Sequence, residues 1–229
     1  IAQTVLIVLA WFDFIFLPKM SQLYSEGKFI RIADTFRWTT KWLTTISIIP
    51  FVVVFFNSGK IIEIVFGGGY YQGSTILPAL SLGFFIHVFF GLNGNGLIAI
   101  GEEIDVFKGS FVALSINTVM NIVLIPEFGA VGAAVSSATA YLLMNSIHAW
   151  YLYIHTGIVP IARRKFIISI AVIGTAYMTQ MAENVIDVRS EYILSNGFVV
   201  VVYVLALILV IIEPKDKDIL ANVRDRLVR

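Results

Sequence analysis

The chain has 229 residues, of which 58% are hydrophobic and 14% charged, with a formal net charge of +1 and no cysteine; its mean hydropathy is +0.87. No soluble domain of this size needs so much apolar surface, so the composition specifies an integral membrane protein and no nucleic-acid partner is expected. Without cysteine, disulfides, thiolate metal sites and a cysteine nucleophile are excluded.

The chain begins inside an apolar run, with neither an initiator Met nor a signal-peptide n-region, and so reads as a fragment of something longer. Seven charge-poor runs of spanning length follow at 1–17, 38–57, 75–100, 108–125, 131–153, 166–182 and 192–212. Lipid offers no partner to a bare backbone amide, and no alternating ten-residue pattern suggests a barrel, so these runs must be helices. The expected fold is an all-α membrane protein, a polytopic helix bundle.

Lys and Arg set topology, and here they alternate. Fourteen lie in one set of connections, among them Lys19, Lys28, Arg31, Arg163, Arg164 and the tail, against Lys60 and Arg189 in the other. The start is therefore expected outside and the C-terminus in the cytoplasm, with the chain in the cytoplasmic membrane. Two stretches on the cytoplasmic side read as amphipathic: an interfacial helix over 19–37 and a tail over 213–229. Such helices lie at the headgroups, where their cations meet membrane lipids, as plain anchors or as partner sites.

Taken in chain order, the first interior polar residue is Asp13, about four residues before the end of the first run. An acid inside a span is costly unless paired or hydrated. It is a candidate to carry a coupling proton or sodium, to pair with a cation elsewhere, or to reach the cytoplasmic headgroups. Lys41, one turn into the second run, most simply snorkels to that interface.

The third run, "TILPALSLGFFIHVFFGLNGNGLIAI", is the most irregular, with Pro78, Gly83, Gly91, Gly94 and Gly96 expected to bend or unwind it. His87, Asn93 and Asn95 are read as facing a cavity, with Gly91, Gly94 and Gly96 as hinge candidates. The plainer alternative makes His87 a satisfied interhelical hydrogen bonder and the glycines packing residues.

In the fourth run Asn117 and Asn121 are four residues apart, on one helix face. An amide in hydrocarbon needs a partner, so that face should look into a bundle or a wet cavity. Pro126, a further hinge candidate, is expected to end this helix, and "EFGAVG" to turn the chain. Gly132, Ala133, Ala134, Ser136 and Ser137 then give the fifth run a small-residue surface for a close hairpin.

The pattern N-x-x-x-N-x-x-L-I-P-x-x-G-x-x-G-A-A, Asn117 through Ala134, resembles the polysaccharide transporter family of the multidrug/oligosaccharidyl-lipid/polysaccharide exporter superfamily. "FLPKMSQLYSEGK", "IIEIVFGGGYYQGSTILPALS" and "GNGLIAIGEEIDVFKGSF" agree with it in order and spacing. The resemblance covers about residues 9–153. It implies the C-terminal lobe of a two-lobe exporter of twelve to fourteen helices, whose N-terminal lobe would be the other half of the same chain. The implied activity is flipping of a lipid-linked oligosaccharide or polysaccharide repeat unit by alternating access, with no cofactor. Glycan polymerase or glycosyltransferases are possible partners.

On that basis the substrate-pathway candidates are Asp13, His87, Asn93, Asn95, Asn117 and Asn121. Two alternatives stay open: a cation-coupled drug or metabolite antiporter of the same superfamily, and a non-transporting scaffold of a cell-surface assembly complex. An enzyme is not expected, since no H-E-x-x-H, G-x-S-x-G, Walker or dinucleotide pattern occurs. His87, His148 and His155 stand isolated, without metal-ligand spacing relative to the carboxylates.

Overall fold

A computed structural model describes residues 1–70, 72–159 and 163–186. The described residues form helices α1 (Thr4–Ser25), α2 (Phe29–Phe56), α3 (Ser58–Phe66), α4 (Gly73–Phe90), α5 (Asn93–Ala99), α6 (Glu103–Thr156) and α7 (Arg163–Ile186), with one 3-10 turn at Gly68–Tyr70. Among the described residues there is no strand, and α1, α2, the α4–α5 stretch and α6 are long and apolar enough to cross a membrane. The chain is thus an all-α, multi-pass membrane protein. The run at 192–212 and the tail at 213–229 lie outside the described residues. Contacts divide the chain into Ile1–Lys165 and Phe166–Arg229, and the first unit carries the features below.

The spans differ from the apolar runs in instructive ways. Residues 19–37 form no separate interfacial helix: α1 continues through Pro18 to Ser25, a turn closes at Gly27 with φ +67°, and α2 begins at Phe29. Proline removes one backbone bond, a loss that a packed membrane helix tolerates, so helices run on through Pro18, Pro50, Pro78 and Pro126 alike. Pro126 therefore does not end its helix. The reversal comes three residues later at Gly129, whose φ of 56° and ψ of −136° no other residue adopts cheaply. It divides α6 into a first arm, 103–128, and a second arm, 130–156.

The arms fold back closely because Gly132 has no side chain: a Cβ there would sit 2.3 Å from the carbonyl oxygen of Leu124. In the same way the run at 75–100 is two helices, not one, broken at Gly91 (φ 78°, ψ −142°). A Cβ on Gly91 would lie 2.6 Å from the Thr40 methyl group, so this glycine serves both the break and the close approach of α2. Gly94 and Gly96 lie within α5 and are packing positions, facing His148 and the Phe36 ring respectively.

α2 is the central buried helix. Phe36, Thr40, Leu43, Thr44, Ser47, Ile48 and Phe51 recur at helical spacing along one covered face. Phe16 meets Phe36 edge-on at 5.6 Å, and Phe51 stacks on Phe85 at 4.3 Å, tying α2 to α1 and α4. Between helices in lipid such packing, more than transfer from water, holds the bundle together. α4 packs on α2 and α6, and α1 on α2 and α5. Large apolar side chains left uncovered, such as Trp11, Phe14 and Ile15 on α1 and Phe107 and Phe111 on α6, suit a lipid face or a further part of a longer chain.

Candidate functional site

Four helices converge on a cavity of about 220 Å³ in the first unit, and its polar lining consists of Asp13, His87, Asn95, Ser110, Asn145 and His148. At 1.5 Å per residue, His148 lies about 12 Å and Asp13 about 18 Å along their helices from the ends at Thr156 and Ser25.

The lining is built pairwise. Asn95 Nδ2 donates to Asp13 Oδ1 at 2.5 Å, joining α5 to α1. Asn145, 1% exposed, donates from Nδ2 both to its own helix at the Tyr141 carbonyl, 2.7 Å, and to His87 Nδ1, 2.8 Å. The Tyr141 carbonyl fixes which way the amide points, because the opposite orientation would oppose two acceptors. His87 Nδ1 is consequently an acceptor and its proton sits on Nε2. The His87 ring also stacks on Tyr141, with centroids 4.9 Å apart.

His148 is 3% exposed, and its Nε2 contacts the Val106 carbonyl of the first arm at 3.1 Å, so Nε2 carries the hydrogen. Its ring is wedged between two glycines. A Cβ on Gly109 would fall 2.7 Å from His148 Cδ2, and one on Gly94 would fall 3.3 Å from Nδ1.

The candidates named from sequence part company here. Asp13, His87 and Asn95 line the cavity together with Gly91 and Gly94. Asn93 does not: it is fully buried, with Nδ2 on the Asn145 backbone carbonyl at 3.4 Å and Oδ1 unpartnered. Two residues separate it from Asn95's face, enough on a helix to point it into the α6 packing instead. Asn121 Nδ2 donates to Asn117 Oδ1 at 3.0 Å within one helix rather than to a neighbouring helix, and Asn121 Oδ1 is buried without a partner. Asn117 borders a second cavity, of about 240 Å³, between the two arms.

Asn145 and His148 are lining residues that sequence reasoning passed over. The available signal was an amide and an imidazole three apart in the apolar "YLLMNSIHAW", the same kind of signal as Asn117 and Asn121.

At the helix ends on the His148 side, Asp105 bonds Lys108 Nζ at 2.7 Å and His155 Nε2 at 2.8 Å, with Glu102 at 3.6 Å from His155 Nδ1. Glu102, Asp105 and His155 bring one potential metal-ligand atom each within 4.8 Å of one another. Both Asp105 oxygens are already engaged, one by an ammonium, and the group acts as a clasp between the open ends of the two arms.

A family model described as "Lipid II flippase MurJ" matches residues 5–212. An uncharacterized membrane protein of Methanocaldococcus jannaschii, MJ1068, is 27% identical over 160 residues, covering 66% of this chain and 31% of that protein. A probable low-salt glycan biosynthesis flippase of Haloferax volcanii, Agl15, is 27% identical over 135 residues, covering 59% of this chain and 29% of that protein. The chain thus spans about a third of the length of these curated relatives. No solved structure matches it.

Proposed function

The chain belongs to the lipid II flippase MurJ family, a family of transporters rather than enzymes, and on that premise we propose that it forms the C-terminal lobe of a flippase for a lipid-linked glycan. The observation that carries the reading is a cavity within the helix bundle on which Asp13, His87, Asn95 and Asn145 converge from four different helices. A sugar on a phosphorylated lipid cannot cross about 30 Å of hydrocarbon without a replacement for its water. A half-cavity of amides and imidazoles, closed against a second lobe, offers that replacement, and alternating access between the lobes avoids a continuous pore.

Asn95, Asn145 and the His87 Nε2–H supply neutral hydrogen-bonding groups suited to hydroxyls, while Asp13 supplies the one negative charge and suits a coupling cation. Gly91, the only break in the α4–α5 span, is the point where that span bends as the lobe moves. The name of the Haloferax relative favours a glycan as cargo. The fourteen-to-two distribution of Lys and Arg supports a cytoplasmic C-terminus and a start facing outside.

The test deletes the full-length parent gene in its host and measures lipid-linked glycan on the cytoplasmic leaflet. Accumulation that the wild-type copy reverses, and His87→Leu or Asn95→Leu does not, is the expected result. No accumulation, with raised sensitivity to cationic dyes, would replace this reading with the antiporter.

A further inference from the structure

The second cavity, of about 240 Å³, lies between the two arms of α6, and Ser110 and Met144 border both it and the first cavity. Tyr141 is a further link, since it lines the second cavity while its ring stacks on His87 of the first at 4.9 Å. The two spaces treat their polar groups differently. In the first, side chains bond in pairs between helices, Asn95 with Asp13 and Asn145 with His87. In the second, three groups are left with hydrogen-bonding capacity unspent among the described residues. Asn117 accepts from Asn121 through Oδ1, so its own Nδ2 hydrogens stay unused. Ser110 Oγ and Tyr141 Oη make no hydrogen bond among the described residues. Ala113, Leu114 and Ala140 complete the wall with small or apolar surface.

We propose that this second cavity is a subsite for one sugar ring of the glycan, held by Asn117, Ser110 and Tyr141. A sugar ring carries hydroxyls around its rim and C–H groups on its two faces. One amide and two hydroxyls, supplied by both arms, match the rim, and the Tyr141 ring with its small apolar neighbours matches the faces. At about 240 Å³ the cavity falls below the roughly 300–1,000 Å³ of pockets that enclose a drug-sized ligand, so it takes a ring rather than a chain. The rest of the glycan continues past Ser110 and Met144 into the first cavity. A polyprenyl tail would suit the apolar wall but would leave all three polar groups unpaired, which is costly away from water. The inference rests on the flippase reading for transport of the glycan, and its binding is measured without transport.

Two measurements on the full-length protein test it. In the first, two fluorescent probes are titrated onto protein in nanodiscs, a polyprenyl pyrophosphate bearing a disaccharide and the same lipid without sugar. The wild type should bind the disaccharide lipid about tenfold tighter. Two variants should each cut that ratio about fivefold, the factor of one ordinary hydrogen bond, with affinity for the bare lipid unchanged. One is the double variant Asn117→Leu, Asn121→Leu, which removes both amides from the helix face, and the other is Tyr141→Phe, which keeps the ring on His87 and loses only the hydroxyl. Their elution profiles and Tm should stay close to wild type. A ratio that ignores both variants overturns the proposal, and so does a changed affinity for the bare lipid at constant ratio, which would give the cavity to the tail.

In the second, liposomes carry the disaccharide lipid and its flipping is followed. The double variant should raise KM about fivefold and leave kcat near wild type, because a contact made equally before and during transport affects binding alone. Flipping by the double variant at the wild-type KM overturns the subsite. Should the wild type prefer the disaccharide lipid in a manner lost in both variants, yet flip none of it, the flippase reading falls and the sugar subsite stands.

Discussion

Two pairs of membrane-embedded amides behave in opposite ways. Asn95 and Asn145 reach other helices, bonding Asp13 and His87 at 2.5 and 2.8 Å. Asn117 and Asn121 turn toward each other at 3.0 Å within α6. All four sit in apolar sequence, and all four escape an unpaired amide in lipid at least in part. The first pair binds the bundle together around a cavity, whereas the second leaves the bundle no tighter than leucines would. Polarity in a span is therefore evidence of a partner, not of a site, and where the partner lies decides what removing it should cost.

The largest effect is expected where the cavity helices touch by backbone. Gly91→Ala places a Cβ 2.6 Å from the Thr40 methyl and at a φ of 78° that only glycine holds comfortably. Strain and overlap together should cost about 3 kcal/mol, read as loss of the folded peak in fluorescence-detected chromatography of the full-length protein. Adding Thr40→Ala should recover part of this, since it removes the overlap but not the strain. Full recovery would show that the break at Gly91 is a packing accident and the α4–α5 span is not obliged to bend.

Asn145→Leu comes next. It leaves His87 Nδ1 without its donor in a buried site, and an unsatisfied buried acceptor costs about 1–3 kcal/mol. The drop in Tm should disappear when His87 is also made Leu, because deleting both partners of a hydrogen bond is nearly neutral. By contrast the double variant Asn117→Leu, Asn121→Leu should leave Tm unchanged or slightly raised, within about 0.6 kcal/mol, since the pair is internal to one helix and Asn121 Oδ1 is already a buried orphan. A larger loss from the α6 pair than from Asn145 would invert the comparison.

The same contrast marks what the sequence could disclose. Hydropathy alone identifies an all-α membrane bundle, because spanning length and backbone satisfaction leave no other choice. The reversal of α6 was legible in "EFGAVG" as glycine chemistry, although its position was not: a proline looks like a terminator, yet α6 passes through Pro126 and turns at Gly129. The cavity was harder. Asp13 and Asn95 are 82 residues apart, and His87 and Asn145 are 58 apart, so no local spacing links them. His148 stands alone in sequence because the features that give it a role, the Val106 carbonyl and the two glycines pressed against its ring, lie in other segments. Asn93 shows the converse error: it shares a motif with Asn95 but points elsewhere, since two residues on a helix are a turn of about 200°.

The smallest expected effect comes from a hydrogen bond as short as those of the cavity but set in water. Between α1 and α2, Lys28 Nζ donates to Glu26 Oε2 at 2.6 Å and Gln22 Nε2 donates to Glu26 Oε1 at 2.8 Å. The Lys28 ammonium, then the Gln22 amide, hold the Glu26 carboxyl below its usual 4.5. Because the folded value is depressed, any stability it lends is present above that usual value and fades as pH falls through the folded one. The pair is open to solvent, however, and exposed ion pairs are screened and contribute little. Glu26→Gln should therefore leave Tm unresolved from wild type at pH 7, and the two proteins should lose stability in parallel as the pH is lowered below 4.5. Asn95→Leu, which removes a bond of similar length at membrane depth, should lower Tm measurably in the same assay. If Glu26→Gln cost more than Asn95→Leu, bond geometry rather than depth would govern these contacts, and the reason for setting the cavity amides apart from the rest would be gone.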